Sequence, residues 1–143
     1  MASNSREEIL AHALDIIRGG GAISFDSVAQ SSGLSKPGLM YHFRTKEALM
    51  LGLVDHVADE WQREMDARLT SPFQGSTMRE RAGIYVEACV TREPDPADIV
   101  MLTDPRLRQE LTARWAERIS TWFVGLEQLA LPERGYITAV RLL

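Results

Sequence analysis

The stretch SFDSVAQSSGLSKPGLMYHFRTKEAL, residues 24–49, decides the fold. It reads as two short helices joined by a tight turn at Gly33 and followed at once by the start of a longer helix. Val28 and Ala29 face inward on the first short helix, Gly33 supplies the positive-φ turn residue, and Leu34 and Leu39 pack the second helix back. Ser24 is an N-cap, with Asp26 in the first turn, where a carboxylate favours the positive helix end. Ser35 caps the second helix, and Pro37 is tolerated in its first turn because the N–H it lacks has no partner there. The spacing predicts that helix over 36–42. Together these form a helix-turn-helix, a geometry that puts the segment after Ser35 into a DNA groove.

Thr45 then caps a long helix in which Leu49, Leu53, Val54, Val57, Trp61, Met65 and Leu69 hold one apolar face for about six turns, roughly 36 Å of helix. Upstream, Ser5 and Glu8 form an S-x-x-E capping box for a helix carrying Ile9, Ala13, Ile16 and Ile17, which ends near Arg18 before three glycines. Downstream, TSPFQG at 70–75 reads as a linker. A second capping box, Thr77 with Glu80, starts a helix containing Ile84, Tyr85, Ala88 and Cys89, and REPDP at 92–96 breaks it. After the apolar segment 97–102, Asp104-Pro105 opens another long helix with Leu107, Leu111, Trp115, Ile119, Trp122, Phe123 and Leu126, ended by Leu131-Pro132. Residues 133–143 read as the first turns of one more helix. No strand pattern or internal repeat appears.

The chain has 143 residues, 45% apolar and 25% charged, which fits an all-α globular protein with a real core. A single cysteine, Cys89, rules out an internal disulfide and points to a reducing compartment, the cytoplasm. No run approaches the roughly 18 apolar residues of a membrane helix. Net charge is −4, but residues 1–50 balance five basic against five acidic side chains, so the deficit lies beyond them. Between Leu34 and Lys46 stand Lys36, Arg44 and Lys46 and no acid. Such a positive strip on an acidic body suits a protein that meets phosphates with one face, although the same charges also fit an ordinary solvated surface.

Over Arg6–Leu53 the sequence resembles the tetracycline-repressor (TetR) family of bacterial transcriptional regulators. Ile9 and Ala13, a glycine-bearing loop, Ser24 to Ala29, Gly33-Leu34-Ser35-Lys36 and the exit Tyr41-His42-Phe43-x-x-Lys46-Glu47-x-Leu49 carry the likeness. The resemblance implies a DNA-binding domain over 1–50 and effector-binding and dimerisation helices over 51–143. It also implies a homodimer on a palindromic operator, most simply a repressor released by a small hydrophobic effector. Proteins of this kind often carry an aromatic at the position of Met40 and a small residue at that of Pro37; here Tyr41 can supply the phosphate contact. Set against that family the chain stops early in its last helices, so a shortened C-terminal body is expected.

Phosphate anchors and base-edge contacts come from different residues. By resemblance and by charge, Lys46 at the start of the long helix is the leading phosphate anchor, with Tyr41, His42 and Thr45 beside it. Ser35, Lys36, Pro37 and Gly38 complete the expected DNA-binding set, Lys36 donating to guanine. Tyr41 and Phe43 can instead be core aromatics, and His42 a helix-end hydrogen-bonding group. An effector pocket is expected among Trp61, Met65, Tyr85, Cys89, Met101, Trp115, Ile119 and Trp122, with ordinary core filling as the alternative. No cofactor or metal is expected. The three histidines lack metal spacing, although His56 with Asp55, Asp59 and Glu60 could form a weak surface site. With no nucleophile elbow, Walker or Rossmann glycine pattern, the chain is not read as an enzyme. The rival reading is a helical ligand-binding or interaction protein whose head is vestigial and does not bind operator DNA.

Overall fold

Local caps set the first four helices. The computed structural model describes residues 5–128, and among these it contains six α-helices: α1 (Arg6–Arg18), α2 (Phe25–Ser32), α3 (Lys36–His42), α4 (Lys46–Asp66), α5 (Met78–Thr91) and α6 (Arg108–Ser120). No strand occurs among the described residues. The Ser5 box closes both ways, with the Ser5 N–H donating to Glu8 at 2.7 Å and the Glu8 N–H donating to Ser5 Oγ at 3.2 Å. Ser24 and Ser27 do the same for α2 at 3.0 Å each. Gly33 ends α2 at φ 67°, the left-handed conformation that lets the Leu34 N–H reach the Ala29 carbonyl at 3.0 Å.

The chain forms two compact units that alternate along the sequence. The first holds residues 1–59 and 94–116. Its core takes Ile9, Leu10, Ala13 and Leu14 from α1, Val28 and Ala29 from α2, Leu39 and Phe43, and Leu49, Leu53 and Val54 from α4. Of the apolar residues read as inward-facing here, Ile9, Ala13, Ile17, Val28, Ala29, Leu39, Leu49, Leu53 and Val54 are buried, because their helical spacing keeps them on one face, whereas Ile16 and Leu34 are half-buried. At Gly52 a Cβ would stand 3.0 Å from the Phe43 ring and 3.3 Å from Leu10, so α4 approaches its neighbours through a hydrogen where other residues carry a methyl. A 3-10 turn, Pro96–Leu102, lies against α1 and buries Ala97, Val100 and Met101. Arg18 ties its start down through Asp95 at 2.9–3.1 Å. The Arg114 guanidinium grips both oxygens of Asp55 at 2.8 and 2.9 Å, the planar fork that suits a carboxylate.

Among the described residues, the second unit holds 60–93 and 117–128. A run of rings joins it: Trp61 to Tyr85 at 6.2 Å, Tyr85 to Phe123 at 5.0 Å and Phe73 to Trp122 at 5.6 Å between centroids. Arg81 is buried among them with its guanidinium 4.8 Å over the Phe73 ring.

Three local expectations change. The segment 70–75 is tied into this unit: Phe73–Gly75 forms a 3-10 turn, and Phe73 packs on Trp122. Only half of the Thr77 box forms, because Thr77 accepts from the Glu80 N–H while the Glu80 carboxylate turns to the hydroxyl of Thr70 at 2.8 Å. Those Thr70 bonds, from the hydroxyl and then the backbone, hold the Glu80 carboxyl below its ordinary range. The long helix expected from Asp104 starts only at Arg108 and gives way at Ser120 to a 3-10 turn, Thr121–Phe123, with extended backbone at Val124. Apolar periodicity continues through Trp122 and Phe123, but the Arg81 side chain captures the carbonyls of Trp122 and Val124 and holds the chain out of helix. The expected stop at Leu131-Pro132 and the helix over 133–143 lie outside the described residues.

Candidate nucleic-acid interface

Helix α3 is short and pinned at its N-terminal end. Ser35 Oγ accepts from the Gly38 N–H at 3.1 Å, and the Ser35 carbonyl accepts from Leu39 at 2.9 Å. Leu39 and Phe43 are fully buried behind it, so the alternative of Phe43 as a core aromatic is the one realised. Arg6 covers that anchor, its guanidinium 4.4 Å over the Phe43 ring and reaching the His42 carbonyl at 3.4 Å. Thirty-six residues separate Arg6 from His42, and no sequence signal links them.

The opposite face of α3 is open. Lys36, Pro37 and Met40 are exposed, Gly38 and His42 are half-buried, and Tyr41 is 84% exposed with its ring edge-on to His42 at 5.4 Å. Tyr41 is therefore not a core aromatic. Thr45 caps α4 by accepting from the Ala48 N–H at 3.0 Å. Ser35 and Thr45 thus both use their hydroxyl oxygens as acceptors for backbone N–H groups.

Both lysines of the basic strip have carboxylate partners that lie outside it. Lys36 Nζ stands 3.3 Å from Asp26, with both side chains more than half exposed. A pair so solvated contributes about 0–1 kcal/mol. Lys46 Nζ stands 3.0 Å from Asp104 Oδ2, whose side chain is 12% exposed. The Lys46 ammonium, and next the Arg106 N–H, hold the Asp104 carboxyl below its ordinary value. Beside this pair runs an open groove of about 440 Å³ lined by Ile17, Ile23, Met50 and Ile99. Asp104 was legible only as a helix cap; its role beside Lys46 had no sequence signal.

The candidate effector residues divide between the units. Trp61, Met65, Tyr85, Ile119 and Trp122 are buried in the second, and Cys89 is exposed there. Met101 and Trp115 belong to the first. His56 pairs with Glu7 at 3.0 Å and Asp55 with Arg114, so neither is held toward a surface metal. Among the described residues, no three His, Cys, Asp or Glu side chains stand together as a metal would require, and no helix is long and apolar enough to cross a membrane.

Residues 9–53 match the family model of bacterial regulatory proteins of the tetR family. No curated protein matches the chain. That match covers α1, α2, α3 and the first turns of α4, the same elements that hold Leu39 and Phe43 inward and turn Tyr41 outward. Residues 9–53 are thus similar to the N-terminal domain of the tetR family of bacterial regulatory proteins, and that domain supports a DNA-binding transcription regulator.

Proposed function

We propose that the chain is a ligand-responsive repressor that binds a palindromic operator as a homodimer, each copy laying α3 into a major groove. The observation that carries this reading is the two-sided character of α3. Its inner face is locked by Leu39 and Phe43, and its outer face offers Lys36, Pro37, Met40 and Tyr41. A helix fixed from behind and bare in front can meet a groove without first paying an ordering cost.

Lys46 and Tyr41 anchor phosphates, with Ser35, Thr45 and the His42 ring beside them, while Lys36, Pro37 and Gly38 meet base edges. With few polar groups on α3, phosphate contacts and DNA shape supply most of the affinity. Residues 1–50 serve as the reading module and 51–143 as the effector and dimerisation part. A small hydrophobic effector would lodge among the second unit's rings, where Tyr85 lies between Trp61 at 6.2 Å and Phe123 at 5.0 Å from ring centroid to ring centroid. The lone cysteine supports a cytoplasmic setting.

The test is a salt titration of binding to the promoter DNA of the protein's own gene, comparing wild type with Lys46→Ala and Tyr41→Ala. Loss of a phosphate contact in Lys46→Ala weakens binding and makes the salt slope shallower by about one. Absence of promoter binding by the wild type at low salt would instead favour a helical interaction protein with a vestigial head.

A further inference from the structure

Asp104 sits where the Pro96–Leu102 turn gives way to the turn that leads into α6, 58 positions along the chain from Lys46. Its two carboxylate oxygens have separate tasks. Oδ1 accepts the Arg106 N–H at 2.9 Å, which fixes the carboxyl plane against its own backbone. Oδ2 then faces the Lys46 ammonium at 3.0 Å. The Asp104 carbonyl also accepts from the Leu107 N–H, so the whole turn, and not a loose side chain, presents the charge. Asp104 is sheltered, whereas Lys46 is 44% exposed and keeps ammonium protons directed to solvent. This arrangement leaves the cation accessible while placing a fixed negative charge beside it.

We propose that Asp104 is a built-in competitor for the phosphate anchor. Its carboxylate occupies Lys46 in the DNA-free protein and repels an incoming DNA phosphate, setting the affinity of the head below what Lys46 alone would give. The inference rests on the reading of Lys46 as a phosphate anchor and adds a regulator to it. A phosphate at Lys46 must either displace Asp104 or share the ammonium with it, and sharing brings two anions together. Any ligand or movement that draws the 103–107 turn away from α4 then strengthens DNA binding. By linkage, DNA weakens the hold of Lys46 on Asp104 to the same extent.

The experiment measures binding of a fluorescein-labelled duplex of mixed sequence by anisotropy across a salt series, using the full chain. Wild type is compared with Asp104→Asn, Lys46→Ala and the double variant. Asp104→Ser is added because its hydroxyl can still accept the Arg106 N–H, which separates loss of charge from loss of the turn. Circular dichroism confirms matched helix content. The expected result is binding about threefold to tenfold tighter in Asp104→Asn and Asp104→Ser, with a salt slope steeper by up to about one. In the Lys46→Ala background the gain disappears. If Lys46→Ala weakens binding while both Asp104 variants bind as wild type or more weakly, the competitor role is overturned and the anchor stands. If no protein binds the duplex even at low salt, the DNA reading and this inference fall together.

Discussion

The Nε–H of Arg81 donates to the Trp122 carbonyl at 2.9 Å, and the Trp122 indole N–H donates back to the Arg81 carbonyl at 2.8 Å. The pair also fixes Ser76, whose carbonyl and hydroxyl take Nη1 at 2.8 and 2.9 Å. Arg81→Lys keeps the charge but loses the fork, leaving buried carbonyls without donors. It is expected to cost about 2–3 kcal/mol in urea unfolding. Trp122→Phe removes one donor and part of a ring, and should cost about 1–3 kcal/mol.

Gly52 and Gly33 separate two uses of the same residue. At Gly52 the added methyl of Gly52→Ala meets Phe43 and Leu10, so it should destabilise the chain by about 1–3 kcal/mol despite the gain in helix propensity. Thermal and urea unfolding measure it.

At Gly33 nothing lies within 4 Å of the added methyl, so only the backbone at φ +67° resists. Gly33→Ala should cost about 1–2 kcal/mol, and Gly33→Asn distinctly less, because asparagine visits the left-handed region more readily. Equal losses for the two would show that the cost is not conformational.

The Asp104 carboxyl is depressed in the folded chain by Lys46 and the Arg106 N–H. A depressed acid contributes stability that is fully present above its unfolded value, about 3.9, and is lost as pH falls through the folded value. Wild type should therefore exceed Asp104→Asn in stability by a constant amount from pH 7 down to about 5, and the gap should close below about pH 4. Unfolding of both proteins across that range tests the sign. A gap that widens toward acid would contradict the assigned direction.

The first four helices were legible because each announces itself locally. Ser5, Ser24, Ser35 and Thr45 cap within three residues of themselves, and Gly33 turns the chain by its own backbone. The long helix after Asp104 was misread because its apolar spacing runs on through Trp122 and Phe123, while the element that interrupts it, Arg81, lies 41 positions away. Periodicity reports which side chains are buried and cannot report which distant cation takes the carbonyls. The interface divides in the same way. Outward Tyr41 and inward Leu39 follow from helical phase, but Asp26 and Asp104 reach the basic strip only through tertiary folding. A strip that holds no acid in sequence thus has two of its three cations paired with carboxylates in space.

The Pro96–Leu102 turn against α1 bears on how such regulators can be recombined. A chimaera joined at residue 50 would transplant α1, α2 and α3 without Ala97, Val100 and Met101, which pack in the same unit, and without Asp95, which holds Arg18. A functional graft needs three seams, one within α4 near residue 59 and two more on either side of residues 94–116, so that the borrowed N-terminal helices travel with the piece of distant chain that packs in their unit.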